Sequence, residues 1–178
     1  MNKEEIEILM QLKNKMDTSQ RLIDFVKESN RIEGITREPK DREIVEAERF
    51  LGLETVTQTE LLNFVKVYEP EAKLRNKEGL DVRIGNHQPI KGGLQILIEL
   101  NKVLSYANNI TSETSEYDII SIHFEYEDLH PFTDCNGRSG RMLWLWQMNK
   151  LHGKLPSLGF LHTFYYQTLN NKRGSFND

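Results

Sequence analysis

Apolar residues recur at intervals of three and four along most of this chain, the spacing that lines one face of an α-helix. Ile6, Leu9 and Met10 predict a helix over residues 3–16, and Leu22, Phe25 and Val26 predict a second over 18–33. Ile44, Ala47 and Leu51 extend the pattern over 40–51. Thr57-Gln58-Thr59-Glu60 has the form of a capping box, in which a hydroxyl and a carboxylate each accept a backbone N–H. It opens a helix that runs to about Tyr68, before Pro70. Ser115 and Asp118 open another, containing IISIHFEYEDLH, and Pro131 ends it because proline lacks an N–H and clashes with the preceding turn. Residues 137–151 form a strongly apolar helix with Met142, Leu143, Trp144, Leu145 and Trp146, and a last helix is expected over 158–170. The two tryptophans read as core, not as a cofactor site.

The stretch from Leu74 to Gly93 breaks this rhythm. Its glycines, Pro89 and the alternating Asp81-Val82-Arg83-Ile84 predict a short hairpin with loops. A plain connection is the simpler reading, yet irregular segments of this length inside a compact domain are uncommon and often functional.

Composition narrows the class. The 178 residues suffice for one domain with a sizeable core, and 38% hydrophobic with 28% charged residues fits an ordered globular chain. A formal net charge of −4 gives no argument for nucleic-acid binding. No apolar run approaches the roughly 20 residues of a membrane span. The N-terminal MNKEEIEILMQLKNKM is a charged amphipathic pattern, not a signal peptide. A single cysteine, Cys135, excludes an internal disulfide and a multi-cysteine metal site, and a reducing cytoplasm is the simplest compartment.

Candidate chemistry concentrates in His130-Pro131-Phe132-Thr133-Asp134-Cys135-Asn136-Gly137-Arg138-Ser139-Gly140-Arg141. The pattern is helix end, tight loop, helix start. A helix start presents unpaired N–H groups and a partial positive charge, so it holds phosphate. Asn136 and Gly137 suit the loop, where glycine lets an anion approach. Arg138 and Arg141 lie three residues apart on the new helix and can grip phosphate oxygens in pairs. Asp134 offers a hard oxygen ligand for Mg²⁺ on a polyphosphate. His130 can accept a proton near neutral pH without a perturbed pKa. Each residue alone has a plain reading: a packing histidine, a capping aspartate, two solvated arginines. Together they supply a base, a metal ligand, an anion-binding turn and two phosphate clamps.

This segment resembles the signature of the Fic family, His-x-Phe-x-(Asp or Glu)-Gly-Asn-Gly-Arg-x-x-Arg, and departs from it only at Cys135, where glycine is usual. The resemblance implies a mainly α-helical, Fic-like domain with a small β-hairpin flap and an activity that moves AMP from ATP to a Ser, Thr or Tyr hydroxyl of a protein, the chain itself included. By that resemblance His130 deprotonates the hydroxyl and Asp134 holds Mg²⁺. Asn136 and Gly137 help bind the anionic phosphates, Arg138 and Arg141 hold the outer phosphates, and Phe132 anchors the core. Residues 74–93 are similar to the family's flap, in which Val82, Arg83 and Ile84 would position a target segment by strand-like pairing. Ser29-Asn30-Arg31-Ile32-Glu33-Gly34 resembles the family's inhibitory motif, (Ser or Thr)-x-x-x-Glu-(Gly or Asn). Its glutamate would pair with Arg141 and block the γ-phosphate; the alternative is an ordinary helix end stopped by Gly34.

The resemblances run from about residue 18 to 170, so residues 1–178 read as one domain without a DNA-binding appendage. Within it, 1–36 form an N-terminal region bearing the inhibitory helix, 74–93 the flap and 130–141 the signature loop. Target identity and oligomeric state leave no mark in these motifs. Two other readings stay open here. Cys135 to Arg141 also satisfies Cys-x5-Arg, the phosphate loop of protein tyrosine phosphatases, whose thiolate is activated at a helix N-terminus. A silent nucleotide-binding module is the third. His123 and His130 lack a third ligand at zinc-like spacing, so His123 is expected to pack against a neighbouring helix. Lys172 and Arg173 read as a solvated end.

Overall fold

The computed structural model describes residues 3–156; the helix expected over 158–170 and the pair Lys172 and Arg173 lie outside them. Among the described residues there are six helices: α1 (Lys3–Ile32), α2 (Asp41–Leu51), α3 (Gln58–Tyr68), α4 (Leu94–Asn108), α5 (Glu116–Leu129) and α6 (Asn136–His152). None is long and apolar enough to cross a membrane.

The start signals act in part as expected. The Thr57 side chain accepts the Glu60 N–H, but the Glu60 carboxylate turns to Arg49 and leaves that capping box half-made, whereas Ser115 and Asp118 form a reciprocal box that satisfies two of the orphan donors at the start of α5. Two expectations need correction. Residues 3–32 form one helix, not two: the break expected at residue 17 is absent, and Thr18 turns its hydroxyl back to the Asn14 carbonyl at 2.9 Å and stays helical. α4 is an additional helix that starts without any side-chain cap, on Gly93.

α6 touches each of the other five helices. Its residues from Arg138 to Met148 are buried without interruption, so it is a central helix enclosed on all sides. Leu22, Phe25 and Val26 of α1, Phe50 of α2, Phe64 of α3, Leu100 of α4 and Ile119 of α5 close around it. Trp144 and Trp146 belong to this core, as expected. Trp144 lies parallel to the Phe25 ring at 6.4 Å, and Trp146 donates Nε1–H to the Leu53 carbonyl at 3.0 Å. α5 comes close to α6 at Gly140, where an added Cβ would collide with the Tyr126 ring and the Glu127 carboxylate.

The expected β-hairpin flap contracts to a single antiparallel bridge between Ile84 and His87, joined by two hydrogen bonds of 2.9 Å around Gly85-Asn86. In this register the next hydrogen-bonded pair would be Val82 with Pro89, and proline has no N–H to donate, so no ladder grows. The rest of the segment is held by side chains. Asp81 accepts the Gly92 N–H at 2.8 Å, and His87 Nε2 donates to the Asp128 carbonyl of α5 at 3.3 Å.

Candidate active site

The two ends that frame the site, the C-terminus of α5 and the N-terminus of α6, are joined by six loop residues. Two of the junction residues adopt left-handed backbone, His130 at φ 49° and Cys135 at φ 67°. Asn136 locks the loop: its side chain donates to the Phe132 carbonyl and accepts the Phe132 N–H, both at 2.8 Å. Both polar ends of that side chain are thereby committed to the loop, so its contribution to an anion is through its main-chain N–H. Phe132 is fully buried, the core anchor that the sequence suggests. A second tie comes from residues 73–75. Leu74 bridges Phe132, Arg75 N–H donates to Pro131 O at 2.9 Å, and Thr133 N–H donates to Lys73 O at 2.9 Å.

Arg75 is a site residue that the sequence analysis does not single out. Its guanidinium is fully buried and donates to the carbonyls of Leu80 at 2.8 Å, Leu129 at 3.2 Å and His130 at 2.6 Å, and also to Ile90. It thus satisfies the last carbonyls of α5 and fastens both arms of the flap segment to His130. Burial lowers its pKa from the usual guanidinium value, and the nearby Asp81 carboxylate opposes that shift.

His130 caps α5. Its Nδ1 lies 3.3 Å from the Glu127 carbonyl, and because a carbonyl only accepts, Nδ1 carries the proton and the basic lone pair resides on Nε2. Asp134 is exposed beside it, one carboxylate oxygen accepting the Cys135 N–H at 2.5 Å. Asn136, Gly137 and Arg138 follow as the first residues of α6, whose N–H groups have no carbonyl one turn back.

Both arginines turn inward and both meet carboxylates. Arg138 donates to Glu69 at 2.7 Å, and its guanidinium carbon lies 5.5 Å from the centre of the Tyr68 ring. Its Nε is buried with no hydrogen-bond partner among the described residues, a donor suited to an anion. Glu69, at the end of α3, is the second residue missing from the sequence reading; no local pattern links it to a helix 69 positions away. Arg141 is buried and reaches α1. Its Nε donates to Ser29 Oγ at 2.9 Å, and a terminal nitrogen donates to the Ser29 carbonyl at 3.0 Å and to Glu33 at 2.5 Å.

The sequence segment Ser29–Gly34 therefore sits against the start of α6. A Cβ added at Gly137 would collide with the same Glu33 carboxylate, so the oxygen lies on the first turn of α6 as well as on Arg141. The helix-end reading also holds. Ile35 N–H bonds to Asn30 O at 3.0 Å and Gly34 N–H to Arg31 O at 2.9 Å, with Gly34 at φ 75°, a Schellman stop. Stopping the helix and presenting Glu33 are one arrangement.

Cys135 does not fit the phosphatase reading. The thiol is buried, burial pushes its pKa up to about 12, and it follows a helix and loop where a phosphatase loop follows a β-strand. The positive end of α6 and Arg138 pull in the other direction and lose to desolvation. His123 is likewise structural. It is buried on α5 with Nδ1 3.1 Å from the Gly140 carbonyl of α6, and burial, then the Arg141 charge, lower its pKa to about 4. Of the flap residues, Val82 and Ile84 are half-buried and Arg83 is exposed, its Nε bonded to the Gly85 carbonyl at 3.0 Å.

No curated protein sequence matches the chain significantly. A family model does: that of the Fic/DOC family aligns with residues 50–148, more than half of the chain, spanning α3 to α6 and the whole loop from His130 to Arg141. The chain belongs to the Fic/DOC family.

Proposed function

We propose that this chain is a protein adenylyltransferase that uses ATP with Mg²⁺ and is held in check by Glu33. The observation that carries the reading is the meeting of a proton acceptor, His130, with an anion cradle of helix-start N–H groups, Arg138 and Arg141. Transfer of a nucleotidyl group asks a protein mainly for positioning and charge neutralisation. His130 Nε2 takes the proton of the target hydroxyl as its oxygen bonds to the α-phosphorus of ATP. The bond from that phosphorus to the bridging oxygen breaks, and pyrophosphate leaves. The Asn136, Gly137 and Arg138 N–H groups and the two guanidiniums hold the departing charge.

The donor set suits Mg²⁺ bound through its substrate. No group of three or more His, Cys, Asp or Glu among the described residues could hold a metal alone, whereas Asp134 is exposed at the cradle. Mg²⁺ commonly uses one or two carboxylates together with phosphate oxygens. Asp134 would be that ligand, and the bound ion would neutralise phosphate charge.

Glu33 supports the restraint. A carboxylate on Arg141 and on the first turn of α6 competes with phosphate for the same donors. The unpaired segment before Ile84 is the surface along which a target strand would lie, with Val82 and Ile84 as its apolar contacts. Target proteins, this chain among them, would offer a Ser, Thr or Tyr hydroxyl.

ATP labelled at its α-phosphorus, incubated with Mg²⁺, the Glu33→Gly protein and a cell lysate, tests the reaction class. Protein-bound label accompanied by pyrophosphate is expected. Label carried over only from γ-labelled ATP would mean phosphate transfer and would overturn the reading.

A further inference from the structure

α1 extends past the described core it packs on. Its C-terminal half buries Leu22, Phe25, Val26, Ser29 and Asn30, but every described side chain from Glu5 to Thr18 is exposed. The register of the buried face continues towards the N-terminus, through the polar Ser19 and Lys15 to Leu12 and Ile8. Ile8, Leu12, Lys15, Ser19, Leu22 and Val26 follow one another at alternating spacings of four and three, a heptad seam along one side of the helix. Ile8 is 51% and Leu12 52% exposed, and Met16, 72% exposed, flanks them. A projecting helix of this length is marginal in water without a partner along its apolar side.

Extending the seam by one step towards the N-terminus adds Glu5, and the four residues Glu5, Ile8, Leu12 and Lys15 are then self-complementary. In an antiparallel pair of such helices, Ile8 faces Leu12 of the partner subunit, and Glu5 faces Lys15 of the partner subunit. The two-fold axis repeats each contact, so one patch satisfies both copies, and the two helix dipoles oppose. A parallel pair would stack Glu5 on Glu5 of the partner subunit and lysine on lysine. The charges select the antiparallel arrangement.

We propose that residues 5–16 of α1 form a homodimerisation seam, with a second copy of this chain seated antiparallel on Ile8 and Leu12. The contact is small for a specific interface, so the dimer is concentration-dependent. It lies far along α1 from Glu33 and does not depend on which nucleotide the site uses.

Sedimentation velocity of the full chain across a hundredfold range of concentration tests this. Wild type should shift from monomer to dimer, and Leu12→Asp should remain monomeric with the melting temperature that dilute, monomeric wild type shows, since Leu12 is exposed in the single chain. Glu5→Lys and Lys15→Glu should each raise the dissociation constant about fivefold or more, because each places like charges opposite at both ends. The double substitution Glu5→Lys with Lys15→Glu should restore wild-type association. A chain monomeric at every concentration would overturn the proposal. So would a dimer indifferent to Leu12→Asp, or charge variants that the double substitution fails to rescue.

Discussion

Cys135 stands in a left-handed turn at φ 67°, a backbone region in which a side chain costs about 1–2 kcal/mol relative to glycine. Its thiol offsets part of that by filling the space beneath the loop. Being buried and pushed up to about 12, it is neutral across the physiological range. The native protein should therefore resist iodoacetamide at pH 8 and take up one adduct only when unfolded, read by intact mass. Rapid alkylation of the native chain would contradict this account of the turn. His123 makes a prediction of the opposite kind. Its folded pKa, about 4, lies below the ordinary value near 6.5, so the unfolded chain binds the proton more readily. The stability this neutral histidine permits is fully present above about pH 6.5 and is lost as pH falls towards 4. The loss is on the order of 3 kcal/mol when complete. Urea unfolding at pH 7.5 and pH 5 should show that fall, and His123→Gln, which can still donate to Gly140 O, should flatten it.

Between elements, Arg75 is the residue whose loss should be felt most widely. Removing its guanidinium orphans carbonyls from Leu80, Ile90, Leu129 and His130 together. Arg75→Met should cost about 3 kcal/mol or more and loosen residues 74–93, measured as faster limited proteolysis there. Arg75→Lys should rescue little, since an ammonium cannot reproduce the planar fork. The parts of the fold legible in sequence were those signalled locally. Ser115 with Asp118 marks a helix start through its own backbone bonds, and the twelve residues from His130 to Arg141 carry their loop and cradle within one stretch. What depended on distant partners was not legible in local pattern, and the pairing of Glu33 with Arg141 was reached only through the family resemblance. Arg75 and Glu69 act on residues more than fifty positions away. α4 begins on Gly93 with no acidic first turn and no basic last turn, so it lacks the usual punctuation. The helices expected over 3–16 and 18–33 share one axis with no break between them, and Pro89 removes the donor that the alternating residues before it invite a strand to use.

At the scale of the molecule, α6 is both the centre of the core and, at its first turn, the floor of the site. Packing there fixes Arg138 and Arg141 more firmly than exposed side chains could be. α1 likewise serves the core and the site: Leu22, Phe25 and Val26 hold it to the core, and its last turn presents Ser29 and Glu33 to Arg141. Under the proposed restraint, relief would need only the Glu33 end of α1 to give way, with Leu22, Phe25 and Val26 left in place. The central claim is that His130 supplies the base and Glu33 the brake on one AMP-transfer site. The most direct measurement is incorporation of label from α-labelled ATP with Mg²⁺ into the protein itself and into lysate, for wild type, Glu33→Gly, and Glu33→Gly with His130→Ala. Incorporation should rise on the order of tenfold with the first substitution, the cost of one charged pair, and fall about a hundredfold or more with the second. Equal labelling of wild type and Glu33→Gly, or labelling that survives His130→Ala, would contradict it.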